Sequence, residues 1–364
     1  MNAINIWMRE DGLILDKLLL VKSDSFTPSG TGPDETSVAS SPEASNKTSV
    51  DSSDTPAVAT NTIWQLVQTR DGSTVDARHE TGGVELDGKL YVLGGRGNRQ
   101  VNIYDPVTNR WTRGSAPPIE LNHFQPVAFD NRIWIIGAFT GKFPDEQSVA
   151  EIYTYIPAAD QWQEVDTIPA NRRRGSTGAV LHNELIYIVG GNRNGHRAGA
   201  VAWFDSYNPV TGEWTALQDA PNQRDHLTIA VSNNRLVAAA GRQSDSPRNT
   251  FGNMVAETDI YDFNNQNWAT GQSIPTLRAG SMTVLAGDEI IVIGGESANV
   301  RSARDQVEAY NSRTDQWRKL QPLNQARHSG AAAVIGDKIH VVSGSEQRGG
   351  APESTTHETL EISP

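Results

Sequence analysis

Six short apolar stretches end in a pair of small residues: Gly94-Gly95, Gly137-Ala138, Gly190-Gly191, Ala240-Gly241, Gly294-Gly295 and Ser343-Gly344. Sixteen positions before the first member of each pair stand Arg78, Leu121, Arg174, Arg224, Arg278 and Arg327, five arginines at one register. The next two residues are His79-Glu80, Asn122-His123, Gly175-Ser176, Asp225-His226, Ala279-Gly280 and His328-Ser329. Five of the eight histidines (His79, His123, His196, His226 and His328) fall at this register or in the segments after the small pairs. Those segments also carry Arg96, Lys142, Arg193, Arg242, Glu296 and Glu346. Guanidinium groups gathered around one opening concentrate anions and grip carboxylates or sulfates through two parallel hydrogen bonds. The expected ligand-binding set is Arg78, His79, His123, Arg174, Arg193, His196, Arg224, His226, Arg242, Arg278, Glu296, Arg327 and His328. The competing reading is that the arginines pair with neighbouring repeats and serve only the architecture.

For proton transfer the same register offers Glu80, His123, Asp225 and His226, the candidate catalytic groups should the chain turn a substrate over. A carboxylate beside arginine is usually a low-pKa ion-pair partner and a poor base. His123 and His226 occupy one position two repeats apart, and His328 lies one position earlier in the sixth repeat. Three imidazoles approaching a common axis would suit a transition ion, but arginines compete for that space. No metal or other cofactor is expected. The sequence has no Ser-His-Asp motif, no glycine-rich phosphate loop leading from a strand into a helix, and no His-Glu-x-x-His.

These residues need a scaffold, and its repeat is visible. Trp64, Trp111, Trp162, Trp214, Trp268 and Trp317 recur at 47 to 54 residues, and five of them follow a tyrosine by seven positions: Tyr104, Tyr155, Tyr207, Tyr261 and Tyr310. Turn-forming connectors such as Asp105-Pro106-Val107-Thr108-Asn109 separate each Tyr from its Trp, as a loop between two antiparallel strands would. A period near fifty, a double glycine after the second strand and a spaced Tyr and Trp on the third and fourth resemble the kelch β-propeller family over about 300 residues. The resemblance implies an all-β fold of six blades. The unmatched Trp64 and the unmatched Ser343-Gly344 then predict that an N-terminal strand around Ile63 to Val67 completes the last blade, and the aromatic pairs read as blade packing. It also implies that residues leading into each first strand, and those between second and third strands, share one face around the central channel. Kelch-type copper oxidases of the galactose oxidase kind need a cysteine linked to tyrosine, and this chain has no cysteine. Six-bladed kelch sugar epimerases, which open and close an anionic sugar ring, remain a second implied activity, and a protein-interaction scaffold a third.

The chain has 364 residues, with 31 Lys and Arg against 43 Asp and Glu, a net charge of -12. That balance argues against nucleic acid as the main partner, and no apolar run is long enough to cross a membrane. The propeller is expected over 63–364. Residues 23–62, rich in Ser, Thr, Pro, Ala and Asp with a charge sum of -5, read as a disordered linker. Residues 1–22 read as a short β-hairpin turning at Asp11-Gly12. The Trp7 to Gly12 turn and its following strand resemble the end of a carbohydrate-binding β-sandwich module of secreted bacterial proteins, which would make the hairpin a remnant of a truncated module. The implied function is a binding module for carbohydrate, with an acidic sugar or other small anion favoured by the arginines and protein as a further class of partner. The implied location is extracellular or periplasmic, though acids within residues 1–22 exclude a signal peptide there.

Overall fold

In a computed structural model the described residues are 62–362 and Val58. The hairpin read at 1–22 lies outside them, as does the linker apart from Val58 and Thr62. Six antiparallel four-stranded sheets follow one another along the chain. Blade 1 is formed by Thr81–Leu86, Lys89–Gly94, Asn102–Asp105 and Arg110–Arg113. Blade 2 comprises Val127–Phe129, Arg132–Ile135, Glu151–Ile156 and Gln161–Thr167. Blade 3 comprises Gly178–His182, Leu185–Val189, Phe204–Tyr207 and Trp214–Ala216. Blade 4 runs through Ile229–Ser232, Arg235–Ala238, Thr258–Asp262 and Asn267–Gly271. Blade 5 runs through Met282–Ala286, Glu289–Ile293, Val307–Asn311 and Gln316–Lys319. In blade 6, Ala331–Ile335, Lys338–Val342 and His357–Glu361 are joined by Gln65–Leu66 from the other end of the chain.

The repeated residues explain why this chain builds blades. Each Tyr stands directly opposite its Trp across the third and fourth strands, as Tyr104 does to Trp111 and Tyr310 to Trp317. Their ring centroids lie 5.2 and 4.8 Å apart, the range of tilted aromatic pairs. Several indoles also tie one blade to the one before: Trp268 donates to the Gln218 carbonyl (2.9 Å) and Trp317 to that of Gln272 (3.0 Å). The small pairs sit where blades touch. A side chain at Gly294 would come within 2.2 Å of the Arg327 carbonyl oxygen, and the N–H of Gly295 donates to that same oxygen at 2.9 Å. Gly190 and Gly191 repeat the arrangement against Arg224.

Closure at blade 6 is reinforced beyond the strand pairing. The Trp64 indole donates to the Gln321 carbonyl (3.0 Å), and the Asn324 amide donates to the Trp64 carbonyl (2.9 Å). Val58 is buried against blades 5 and 6, and its carbonyl accepts from Arg318 Nη2 at 2.6 Å. Val58, from the segment read as linker, is thus packed in the propeller core.

Candidate functional site

The segment leading into each first strand bends at one position. Glu80, His123, Ser176, His226, Gly280 and Ser329 all have φ between 50 and 60°, the left-handed region that L-residues seldom occupy. A backbone chain of hydrogen bonds links them from blade to blade: His123 N–H to Glu80 (3.1 Å), Ser176 to His123 (2.9 Å), Gly280 to His226 (2.8 Å), Ser329 to Gly280 (2.7 Å) and Thr81 to Ser329 (3.3 Å). The remaining gap is bridged by Ser176 Oγ, which accepts from the His226 N–H at 2.9 Å. The residue just before each bend pairs with the segment after the small pair, as in Asp225 with Arg242 and Ala279 with Glu296. Six lead-in residues and six loops are thereby held on one face around the axis.

The five register arginines are turned away from that face. Arg78, Arg174, Arg224, Arg278 and Arg327 are buried, and each guanidinium is consumed inside its own blade. Arg174 pairs with Asp205 (2.8 Å), Arg224 with Asp259 (2.7 Å), Arg278 with Glu308 (2.8 Å) and Arg327 with Glu358, while Arg78 takes Asn102 (2.8 Å) and Asp76 (3.2 Å). Their expected role in ligand binding is corrected for this reason: a buried charge must be paired, and the third strand supplies the partner. The signal was present in the repeat, since Asn102, Asp205, Asp259 and Glu308 each lie two residues before the Tyr of a Tyr–Trp pair, and Glu358 two before Leu360. In blade 2, where Leu121 replaces arginine, Tyr153 replaces the acid, and the two pack in one apolar cluster. Arg193 is exposed and lies over the Trp203 ring, 5.9 Å from its centroid.

Three imidazoles do converge: His123, His196 and His226, all buried, with ring nitrogens within 4.8 Å of one another. His328, expected in that set, is elsewhere. Its Nε2 meets the Gln347 carbonyl (2.9 Å) and its Nδ1 the Ser329 hydroxyl (3.0 Å). His196, carried by the loop after the second strand of blade 3, takes its place. Each ring is oriented through Nδ1. His226 Nδ1 contacts Asp225 Oδ1, His196 Nδ1 lies 3.0 Å from Glu146 Oε1, and His123 Nδ1 lies 2.6 Å from Asn122 Oδ1. These acceptors are themselves fixed. Asp225 receives the Ser244 N–H and hydroxyl (both 2.9 Å), Glu146 receives Arg96 Nη2 (2.5 Å), and the Asn122 amide donates to Glu120 (2.7 Å). The Nε2 atoms are left facing inward. Those of His196 and His226 are 3.1 Å apart, and that of His123 is 3.0 Å from Glu80 Oε2.

Burial disfavours the charged form of two of these rings: it pushes His123 down to about 3 against the pull of Glu80, and lowers His226 with help from Arg242. The carboxylates stay ionised although burial opposes it. Asp225 is held at about 2 by His226 and Arg242, and Glu80 well below its ordinary value by His123, His79 and His226. Glu146, missed at the sequence level, is lowered by His196, His123 and Arg96 against its burial. Nothing periodic marks it, because it comes from an irregular stretch of blade 2.

Above this cluster lies a cavity of about 710 Å³, lined by His79, Glu80, Arg96, Glu120, Lys142, Phe143, His196, Arg242, Phe251 and Glu296 among others. His196 and Glu80 belong to both cluster and cavity. Arg242 Nη1 donates to Glu296 (2.7 Å), and His79 Nδ1 lies 2.6 Å from Glu353. Cation and carboxylate are therefore interleaved around the opening, and the one-signed field expected from the arginine register is not built there.

Known proteins resemble this chain over the same region. A model described as the KLHDC2/KLHL20/DRC7 Kelch-repeats domain matches residues 127–344, and one for the Kelch motif matches 77–118. Kelch-like protein terF of Aspergillus terreus is 29% identical over 275 residues, 71% of this chain and 56% of that protein. Alpha-scruin of Limulus polyphemus is 27% identical over 259 residues, covering 68% of this chain and 27% of its own length, and Kelch-like protein 38 of Mus musculus is 22% identical over 260 residues, 70% and 42%. The chain thus spans about half or less of these relatives. The solved structure of YjhT superposes with a TM-score of 0.66 at 14% identity, over 80% of this chain and 99% of that one, a likeness of fold. With family models over most of the blades and the repeat built in three dimensions, the chain belongs to the kelch-repeat β-propeller family.

Proposed function

We propose that this propeller binds a small, hydroxyl-rich molecule, a carbohydrate, in the cavity at the channel mouth. Membership of the kelch family supports a ligand-binding or protein-interaction role, and the cavity is the observation that favours a small ligand. Its volume of about 710 Å³ falls in the range of small-molecule sites. Phe143 and Phe251 offer flat apolar faces for the C–H side of a sugar ring, while Glu80, Glu120, Lys142 and Arg96 offer donors and acceptors for its hydroxyls. With Arg96 bonded to Glu146 and Arg242 to Glu296, and the register arginines buried, a neutral sugar suits the site better than an acidic one. A glycan array probed with the wild-type chain and with a Phe143→Ala, Lys142→Ala variant tests this. Retained binding of neutral glycans by the first and loss by the second is expected; identical profiles would overturn the assignment.

Turnover is a second reading, favoured by the place of Glu80 and His196 in the cavity wall, beside imidazoles that carboxylates contact. Asp225, fully occupied by His226 and Ser244, would then position His226 and not touch the sugar. Accelerated anomer exchange of a bound sugar in proton NMR, abolished by Glu80→Gln, is the expected result; exchange at the uncatalysed rate would end this reading.

A further inference from the structure

The three imidazoles pose a problem of unshared lone pairs. In the tautomer that places the Nδ1 protons of His123 and His226 on Asn122 and Asp225 and that of His196 toward Glu146, 3.0 Å away, each Nε2 is left as an acceptor. The His196 and His226 acceptors then face one another at 3.1 Å, and the His123 acceptor faces Glu80 Oε2 at 3.0 Å, with His123 Nε2 lacking any hydrogen-bond partner among the described residues. Buried acceptors pointed at acceptors are costly unless something positive lies between them.

We infer that His123, His196 and His226 bind one divalent first-row transition ion through their Nε2 atoms, with Glu80 in reach as a fourth ligand. Metal–nitrogen bonds of about 2.0–2.1 Å at tetrahedral angles place ligand nitrogens roughly 3.3 Å apart, close to the spacing of the His196 and His226 pair. The surroundings complete the pattern of a metal-binding histidine, whose second ring nitrogen is ordinarily held by a carboxylate or carbonyl. Asp225 and Glu146 serve two rings in this way and the Asn122 side-chain carbonyl the third. Charge also favours a cation. Around the three rings stand four carboxylates, Glu80, Glu146, Asp225 and Glu296, against two guanidinium groups, Arg96 and Arg242, leaving two negative charges for a divalent ion to balance. An all-imidazole donor set with one carboxylate suits zinc, copper, nickel, cobalt or iron better than magnesium or calcium. Since His196 and Glu80 line the cavity, the ion would sit at its floor with one side open to a small molecule.

This inference stands apart from the identity of the cavity's ligand, and its test uses no sugar. The full chain, stripped with chelator, is titrated with Zn²⁺ by calorimetry and with Co²⁺ by ligand-field absorption. One equivalent of each is expected, with intense four- or five-coordinate Co²⁺ bands. His196→Ala and His226→Ala should weaken binding by more than 100-fold, and Asp225→Asn, which touches no ligand atom, by about 10–100-fold. His182→Ala, at the end of blade 3's first strand that lies away from the lead-in bend, should bind as the wild type does. Melting curves of the metal-free variants identify any that fail to fold, and a folded variant is required for each comparison. Zn²⁺ should raise the melting temperature of the wild type and not of folded His196→Ala. Binding well below one equivalent, or binding that folded His196→Ala and His226→Ala retain, would overturn the site.

Discussion

The left-handed bend at Glu80, His123, Ser176, His226 and Ser329 sets where the functional side chains go, because it aims one residue per blade at the axis while the neighbouring arginine turns into the sheet. Such conformations cost about 1–3 kcal/mol each and are held here by the hydrogen bonds that run from blade to blade. A second buried histidine pair, His340 and His357, lies in blade 6 with Nδ1 and Nε2 2.9 Å apart, against Tyr104. Burial, with Lys338 adding to it, pushes His340 down to about 4, and burial with His340 and Arg327 lowers His357 well below its ordinary value. Both folded values lie below the unfolded value near 6.5, so the unfolded chain takes up more protons in between. This contribution is complete above about pH 6.5 and is lost progressively as pH falls toward 4. Urea unfolding at pH 7 and pH 5 should show a smaller loss of stability for His357→Phe than for the wild type; equal losses would mean that the pair is not held neutral. Of the residue-scale findings, His123 and His226 were legible from their shared register. His196 replaced His328 because loop paths, which carry no period, decide which imidazole reaches the axis.

Within a blade, the element that governs the arginines is the third strand. Arg278 with Glu308 is one of four Arg–carboxylate pairs reaching from the lead-in segment to that strand, and blade 2 solves the same space with Leu121 and Tyr153. Glu308→Tyr alone should destabilise the chain by about 3–5 kcal/mol, since it strands a buried guanidinium. Adding Arg278→Leu should recover most of that loss, as replacing a buried pair by packed apolar groups does. Denaturant midpoints of the two single variants and the double check this, and simple addition of the two losses would refute the pairing. Gly294→Ala, which drives a Cβ toward the Arg327 carbonyl, should cost about 1–3 kcal/mol by the same measurement. The Tyr and Trp spacing disclosed the hairpin of strands three and four because both rings answer one packing demand repeated around the ring. The arginine register was equally visible but its direction was not. Counting residues locates a Cα, and the acid two positions before Tyr207, Tyr261, Tyr310 and Leu360 was the signal that told where the guanidinium ends.

For the whole molecule, closure by Gln65–Leu66 makes the six lead-in segments one continuous ring, and the mouth depends on it. A chain beginning at residue 67 loses Trp64 and the edge strand that covers His357–Glu361, whereas one beginning at 57 keeps them together with Val58. The shorter chain should be less stable by at least the 3–5 kcal/mol typical of a lost buried aromatic, and more prone to aggregate through its open edge. Equal melting temperatures would show that the ring closes without this strand. Closure was legible because an unmatched Trp at one end of the repeats and an unmatched small pair at the other require each other. The charge balance of the mouth was not legible, since it depends on which cations the blades consume. A crystal of the full chain soaked with the neutral sugar that binds best in the array resolves the remaining question. Expected is a sugar ring in the 710 Å³ cavity, stacked on Phe143 or Phe251 and hydrogen-bonded to Glu80 or Lys142. A sugar bound on the outer strands, with the cavity holding only water, would contradict it.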